Sequence, residues 1–146
     1  MSVIKTHNAS SMATTKVLDT YALIAFFEDE PGADFVRRLL LEAESGSLKL
    51  AMCVVNLGEF WYIIARTVSP AQADALLEEV QGMSIEIVDA GWKLTYQAAL
   101  FKSKGGLSYA DCYTAALGKL RQAEVVTGDP EFQKLKEEIT IAWSVD

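Results

Sequence analysis

The chain reads as an α/β protein, a three-layer α/β/α sandwich built on a mostly parallel sheet of four to five strands. Three observations carry this reading. Short apolar runs recur with helix-period segments between them, and strands alternating with helices imply a parallel sheet covered on both faces. No internal repeat and no interdomain linker interrupts that alternation. The length, 146 residues, fits one domain around one core.

Residues 1–15, rich in Ser, Thr and Ala, read as a flexible N-terminal arm, which leaves 16–146 as a single domain. Lys16 to Asp19 reads as a short buried strand and Tyr21 to Glu28 as a helix, broken by Glu30-Pro31-Gly32. Ala33 to Ala43 carries Phe35, Val36, Leu39 and Leu40 at helical spacing and stops before Gly46. Leu48 to Cys53 is a second strand. Asn56 to Thr67 is a helix whose apolar face is Leu57, Phe60, Trp61 and Ile64, with Val68 just beyond. Ser69-Pro70 supplies an N-cap and a first-turn proline for Ala71 to Val80. Ile85 to Val88 is a third strand, and Ala90 to Ser103 a helix ended by Gly105-Gly106. Ser108 to Leu120 is a helix with Ala110, Thr114, Ala115 and Gly118, small residues that permit close approach to its neighbours. Glu124 to Thr127 is a fourth strand, Pro130 to Lys136 a short helix, and Thr140 to Val145 a last strand.

Composition narrows the class. Hydrophobic residues make up 51% and charged residues 23%, the balance of a soluble globular chain. No apolar run approaches the ~20 residues that span a bilayer. The first 15 residues lack the apolar centre of a secretory signal, so a cytoplasmic location is expected. Cys53 and Cys112 lie in apolar surroundings and read as buried thiols rather than a disulfide framework. No Cys/His cluster offers a zinc site. His7, the one histidine, falls in the arm and is not read as a catalyst. The net charge of −7 argues against broad, charge-driven binding to nucleic acid and suggests a basic protein partner. It leaves room for a nuclease, because a carboxylate site adds negative charge that a bound metal offsets.

Four acidic residues, Asp19, Glu59, Asp111 and Asp129, each follow an apolar run or open a helix-like segment. In open α/β sheets, ligands bind beyond the carboxyl ends of the strands, where Asp19 and Asp129 fall. Carboxylates gathered there repel one another and call for a hard divalent cation, a combination suited to phosphoryl chemistry. Each residue also has a structural explanation. Asp19 suits the cap of the next helix, Ser108 to Asp111 fits a capping box, and Asp129-Pro130 is a standard helix start. Glu59 suits a solvent-facing position paired with Arg66. The joint placement of the four weakens these explanations. Thr20, Ser108 and Thr127 are neighbouring hydroxyls suited to orienting carboxylates or metal-bound water, and equally to capping. Arg66, Lys102 and Lys104 are candidates for phosphate contact, with helix C-terminal complementation as the other explanation for the lysines. Trp61, Tyr62, Phe26 and Phe27 read as core or interface rather than base-stacking residues.

Four segments then resemble one family in order and at this length. They are Val17-Leu18-Asp19-Thr20 with Phe27-Glu28-Asp29-Glu30-Pro31-Gly32-Ala33; Leu57-Gly58-Glu59-Phe60; Gly106-Leu107-Ser108-Tyr109-Ala110-Asp111-Cys112-Tyr113-Thr114-Ala115-Ala116; and Val126-Thr127-Gly128-Asp129-Pro130-Glu131-Phe132. Here the chain resembles PIN-domain proteins, and most the VapC-type toxin ribonucleases. The resemblance covers essentially everything from Lys16 onward. It implies a metal-dependent endoribonuclease in which Asp19, Glu59, Asp111 and Asp129 hold Mg²⁺ or Mn²⁺, with Glu131 as a secondary acidic candidate. It also implies a small basic antitoxin partner and a homodimer. The departures are the N-terminal arm and Tyr21, where relatives more often carry a small residue; Tyr21 would narrow the site. Two other readings compete. A haloacid-dehalogenase-like phosphohydrolase would need a second Asp two residues after Asp19, where this chain has Tyr21. A non-enzymatic PIN-like binding module would have no need of an intact acidic quartet.

Overall fold

Five strands pair in parallel, in the order β3-β2-β1-β4-β5, in a computed structural model that describes residues 14–145. Strand β1 (Thr15–Leu18) is central. It leads into helices α1 (Thr20–Phe27) and α2 (Ala33–Glu44), then β2 (Lys49–Cys53). Helices α3 (Val54–Thr67) and α4 (Pro70–Gln81) precede β3 (Ile85–Val88). Helices α5 (Trp92–Ser103) and α6 (Tyr109–Arg121) lead back to β4 (Glu124–Thr127), followed by a 3₁₀ helix (Pro130–Leu135) and β5 (Ile141–Trp143). The arrangement is the expected three-layer sandwich, and its sheet is wholly parallel.

Alternation along the strands sends side chains to both layers, as a pleat of period two requires. Val17 and Val125 face one layer with Phe101, Leu117 and Phe132. Leu18 and Val126, their next neighbours, face the other with Val36, Leu39 and Leu50. Met52 joins Leu23, Phe60 and Ile64 in a further cluster on α1 and α3. Both faces being buried explains why the strands read as continuous apolar runs. Cys53 and Cys112 are free and buried, as expected, and burial pushes both thiols up. Among the described residues no helix is long and apolar enough to cross a membrane.

The topology reverses at β1. Strands β2 and β3 extend the sheet to one side, β4 and β5 to the other. Strands β1 and β4 lie side by side in the register Lys16↔Glu124, Val17↔Val125, Leu18↔Val126. Their carboxyl ends therefore open into the same crevice, the usual ligand position in such sheets. Short strands form the two sheet edges, and at the β3 edge Glu86 receives two hydrogen bonds of 3.0 Å from Arg121.

Several boundaries move, for local reasons. Strand β1 begins at Thr15, and the Thr14 carbonyl accepts from the Lys49 amide at 2.9 Å, so these two residues, expected in the arm, join the sheet; residues 1–13 of the expected arm, His7 included, lie outside the described residues. Helix α3 starts at Val54 instead of Asn56, directly from an extended Cys53, because packing overrides the weak helix propensity of two valines. Helix α5 starts at Trp92, after an extended Gly91. The segment after Asp129 winds as a 3₁₀ helix, and the last strand contracts to Ile141–Trp143. Ser69 caps α4 as expected, accepting from the Gln72 amide at 3.0 Å.

Gly118 shows why α6 carries small residues. A Cβ there would stand 2.6 Å from Val125 Cγ2 and 3.2 Å from the Ala123 carbonyl. Alanine would gain up to ~1 kcal/mol of helix propensity, but overpacking a tight core costs ~1–3 kcal/mol. Gly118→Ala is thus expected to lower unfolding stability by roughly 1–2 kcal/mol in a urea titration. An unchanged or raised midpoint would mean that α6 can retreat from β4 without cost.

Candidate active site

Asp19 follows β1 directly and sits in the crevice beside β4. Its amide donates to the Val126 carbonyl at 3.3 Å, which fixes the backbone against the neighbouring strand. Its Oδ1 accepts from the Ala22 amide at 2.7 Å, so it does cap α1. The residue is 1% exposed, and burial is the main reason its carboxyl is pushed up to about 7. The Thr127 hydroxyl and the Ala22 amide oppose that rise, whereas Asp111 and Asp129 add to it by like-charge repulsion.

Asp111 stands in the first turn of α6. Ser108 caps that helix, its hydroxyl accepting from the Asp111 amide at 3.1 Å. Burial again dominates and pushes the Asp111 carboxyl up to about 6. The Ser108 hydroxyl lowers it, while Asp129, Glu59 and Glu131 raise it. Asp129 caps the 3₁₀ helix through the Glu131 amide at 3.0 Å, and its own amide donates to Thr127 Oγ1 at 3.0 Å. Thr127 thus bonds the Asp129 amide, and its hydroxyl lies near enough to Asp19 to favour the charged carboxylate. The Asp19 and Asp129 caps are present as expected, whereas at Ser108 only one half of the capping box forms, since the Asp111 carboxylate does not accept from the Ser108 amide; capping leaves the carboxylates close enough to repel one another.

Asp111 is the hub of this arrangement. It feels Asp19 and Asp129 from the strand ends, Glu59 from α3 and Glu131 from the 3₁₀ helix. Among the described residues no Lys or Arg forms an ion pair with Asp19, Glu59, Asp111 or Asp129. Arg66 does not pair with Glu59, contrary to the solvent-face explanation. Uncompensated, desolvated carboxylates with oxygen donors alone fit a hard divalent cation. Among the described residues, however, no three His, Cys, Asp or Glu side chains stand as a ready-made metal cage.

Other candidates are employed differently. Glu131 forms an ion pair with Lys134. Thr20 donates to the Asn56 carbonyl at 3.2 Å. Lys102 donates to the Leu107 carbonyl at 2.8 Å, closing the turn before α6. Lys104 pairs with Glu138 at 2.6 Å, and Glu138 also takes Lys119 at 2.7 Å, so both lysines hold the Glu138 carboxyl down to about 2. The two lysines proposed for phosphate thus have structural partners, because the turn and the chain after the 3₁₀ helix lie within their reach. Phe26, Phe27 and Trp61 are half-buried as expected, and Trp61 Nε1 donates to Asp74 at 2.9 Å. Tyr62, expected in core or interface, is exposed on α3.

Asn56 is the residue that sequence reasoning missed. It is fully buried, and its Nδ2 donates to the Ala110 carbonyl at 3.0 Å and to Thr20 Oγ1 at 3.5 Å. It therefore ties the helix bearing Glu59 to the residue before Asp111 and the residue after Asp19. The signal was a lone amide within Cys53-Val54-Val55-Asn56-Leu57, otherwise apolar. Asn56→Ala is expected to cost roughly 1–3 kcal/mol in chemical denaturation, since it strands buried groups without partners. A midpoint equal to the native one would show that these ties carry no weight.

The acidic cluster also sets a pH dependence. In the metal-free chain, Asp19 and Asp111 bind protons more tightly folded than unfolded, the unfolded value being 3.8. Their contribution to stability is fully present below that value and is lost as pH rises through about 6 and about 7. Asp19→Asn should therefore melt above the native chain at alkaline pH in the presence of a chelator, with the gap closing as pH falls towards 4. An equally steep loss of melting temperature in both proteins would rule out Asp19 as its source.

The fold is shared with several solved structures. The chain is similar to VapBC2 from Rickettsia felis, solved with a DNA fragment of its promoter (TM-score 0.71, 17% identity, 89% of this chain and 98% of that one). It is similar to VapBC-5 of Mycobacterium tuberculosis (TM-score 0.58, 25% identity, 91% and 99%). It is also similar to VapC20 of the same organism, a sarcin-ricin loop cleaving toxin (TM-score 0.59, 15% identity, 75% and 86%). No curated protein matches the chain. The PIN domain profile matches residues 16–138, and with it the chain belongs to the PIN domain family.

Proposed function

We propose that this protein is a metal-dependent endoribonuclease, the toxin of a type II toxin–antitoxin pair, with residues 16–146 as its working domain. The observation that carries the proposal is the mutually repelling set of Asp19, Asp111, Asp129 and Glu59, which has no basic counter-charge among the described residues. Asp19, Glu59, Asp111 and Asp129 would hold Mg²⁺ or Mn²⁺, with Glu131 as an auxiliary acid. Such an ion, when bound, supplies a water of lowered pKa and charge compensation for in-line attack on a phosphodiester.

The remaining roles fall to the chain itself. Thr127 holds the Asp129 amide at the end of β4, and its hydroxyl favours the charged form of the Asp19 carboxyl across the crevice. Ser108 holds Asp111 at the start of α6. Burial pushes the Asp19 carboxyl up to about 7, so in the metal-free state it is only partly ionised near neutrality, and cation binding releases protons and strengthens as pH rises. Arg66, two turns beyond Glu59 on α3, remains the candidate for the RNA phosphates.

A small basic antitoxin fits the net charge of −7, and an Arg side chain entering the cluster would make charge-assisted contacts with the same carboxylates. VapBC-5, to which the chain is similar, is a member of a family of toxin–antitoxin systems, which supports such a partner, and a homodimer acting in the cytoplasm completes the proposal. PIN membership and Tyr21 both argue against the haloacid-dehalogenase alternative. The lack of a ready-made cage is the one observation favouring a non-enzymatic PIN-like module.

Cleavage of RNA with Mg²⁺ or Mn²⁺ decides between these. Asp19→Asn and Asp111→Asn are expected to lower the rate at least about 100-fold, the order lost when transition-state charge stabilisation is removed. Circular dichroism should be unchanged, because an amide keeps the cap and relieves repulsion. Full activity in either variant would refute the assignment. Co-expression with the adjacent small gene should yield a complex whose cleavage is suppressed; a complex as active as the free chain would refute inhibition at this site.

A further inference from the structure

We propose that Tyr21 is a stacking platform for an unpaired nucleobase beside the scissile phosphate, and so selects single-stranded or looped RNA. This rests on the ribonuclease reading above and adds to it a specificity-determining residue. Tyr21 lies two residues after Asp19, in the first turn of α1, and is 41% exposed. Its ring edge lies against Gly128: a Cβ built on Gly128 would stand 2.6 Å from Tyr21 Cε1 and 3.2 Å from Cδ1.

Gly128 is buried, and its backbone is not in the left-handed region that favours glycine. Glycine is needed here for the approach of the ring. That contact seats the phenol on the backbone between Thr127 and Asp129, where the Asp129 amide donates to Thr127 Oγ1 at 3.0 Å. One edge of the ring is thus anchored to the strand end that carries the carboxylates, while a large part of its surface stays in water. An anchored aromatic loses little freedom when a base stacks on it. The choice of force follows from charge. A chain of net charge −7 gains little from general attraction to phosphates, so an uncharged contact must supply local affinity. Stacking does this for any unpaired base and cannot act on bases inside a duplex. Tyr62 and Tyr109 are also exposed, within three residues of Glu59 and Asp111; Tyr109 packs against Tyr113 on its own helix, whereas Tyr21 reaches across to the end of β4.

The test uses Asp19→Asn as a cleavage-silent background in Mg²⁺ buffer. Fluorescence anisotropy compares a labelled single-stranded oligoribonucleotide with its duplex. Adding Tyr21→Ala should weaken single-strand binding by roughly 10- to 100-fold, the range for loss of one base–aromatic stack, and change duplex binding little. Tyr21→Phe should bind as the tyrosine does. Tyr21→Leu keeps apolar bulk over Gly128, so it guards against loss of fold, and should bind as weakly as alanine. Equal affinity in Tyr21→Ala, native affinity in Tyr21→Leu, or equal losses for duplex and single strand would each overturn the stacking role. These outcomes leave the nuclease reading intact, whereas failure of the native chain to cleave any RNA with Mg²⁺ or Mn²⁺ removes that reading itself.

Discussion

The pairing of β1 with β4 is the constraint on which the rest depends. These strands are more than a hundred residues apart in the chain, yet they lie side by side with Leu18 opposite Val126. Because both run the same way, the residues after them emerge together. That single register delivers Asp19, Thr127 and Asp129 to one crevice. A slip of one residue would turn Val17 and Leu18 to the wrong layers and separate the three polar groups at the same time. Core packing and site geometry are thus fixed by the same alternation.

The acidic residues also serve as the local stops and starts of the fold. Asp19 and Asp129 satisfy free amides at helix starts, and the amide of Asp111 is satisfied by Ser108. Capping draws a carboxylate toward the positive end of a helix, which eases the cost of keeping charge in a partly buried place. It does not abolish that cost, since burial still dominates at Asp19 and Asp111. Capping and ligation therefore use the same residues, and one explanation does not displace the other.

Much of this was legible in the sequence. Ile85–Val88 and Glu124–Thr127 were read to the residue because turn signals bound apolar runs on both sides. The Ser69, Ser108 and Asp129 caps were read from their side chains and the prolines or acids that follow them. What was hidden lies in contacts between distant elements. Asn56 looked like the first residue of a helix, and only the docking of α1 and α6 on α3 makes it a tie. Lys104 looked free because its partner, Glu138, lies 34 residues away. The 3₁₀ winding after Asp129 depends on where Phe132 must bury, which local propensity does not encode.

The sheet's margins carry a consequence for how the molecule behaves in company. Among the described residues the sheet stops at β3 and β5, and the outer amide and carbonyl rows of edge strands are a template onto which foreign strands can add. Here those rows are four and three residues long, and the longer one bears Glu86 clasped by Arg121. So little backbone offers poor purchase for runaway strand addition, and the clasped charge penalises a hydrophobic newcomer. Short edges, one of them guarded by charge, let the chain carry uninterrupted apolar strands inside while giving foreign strands little to add to.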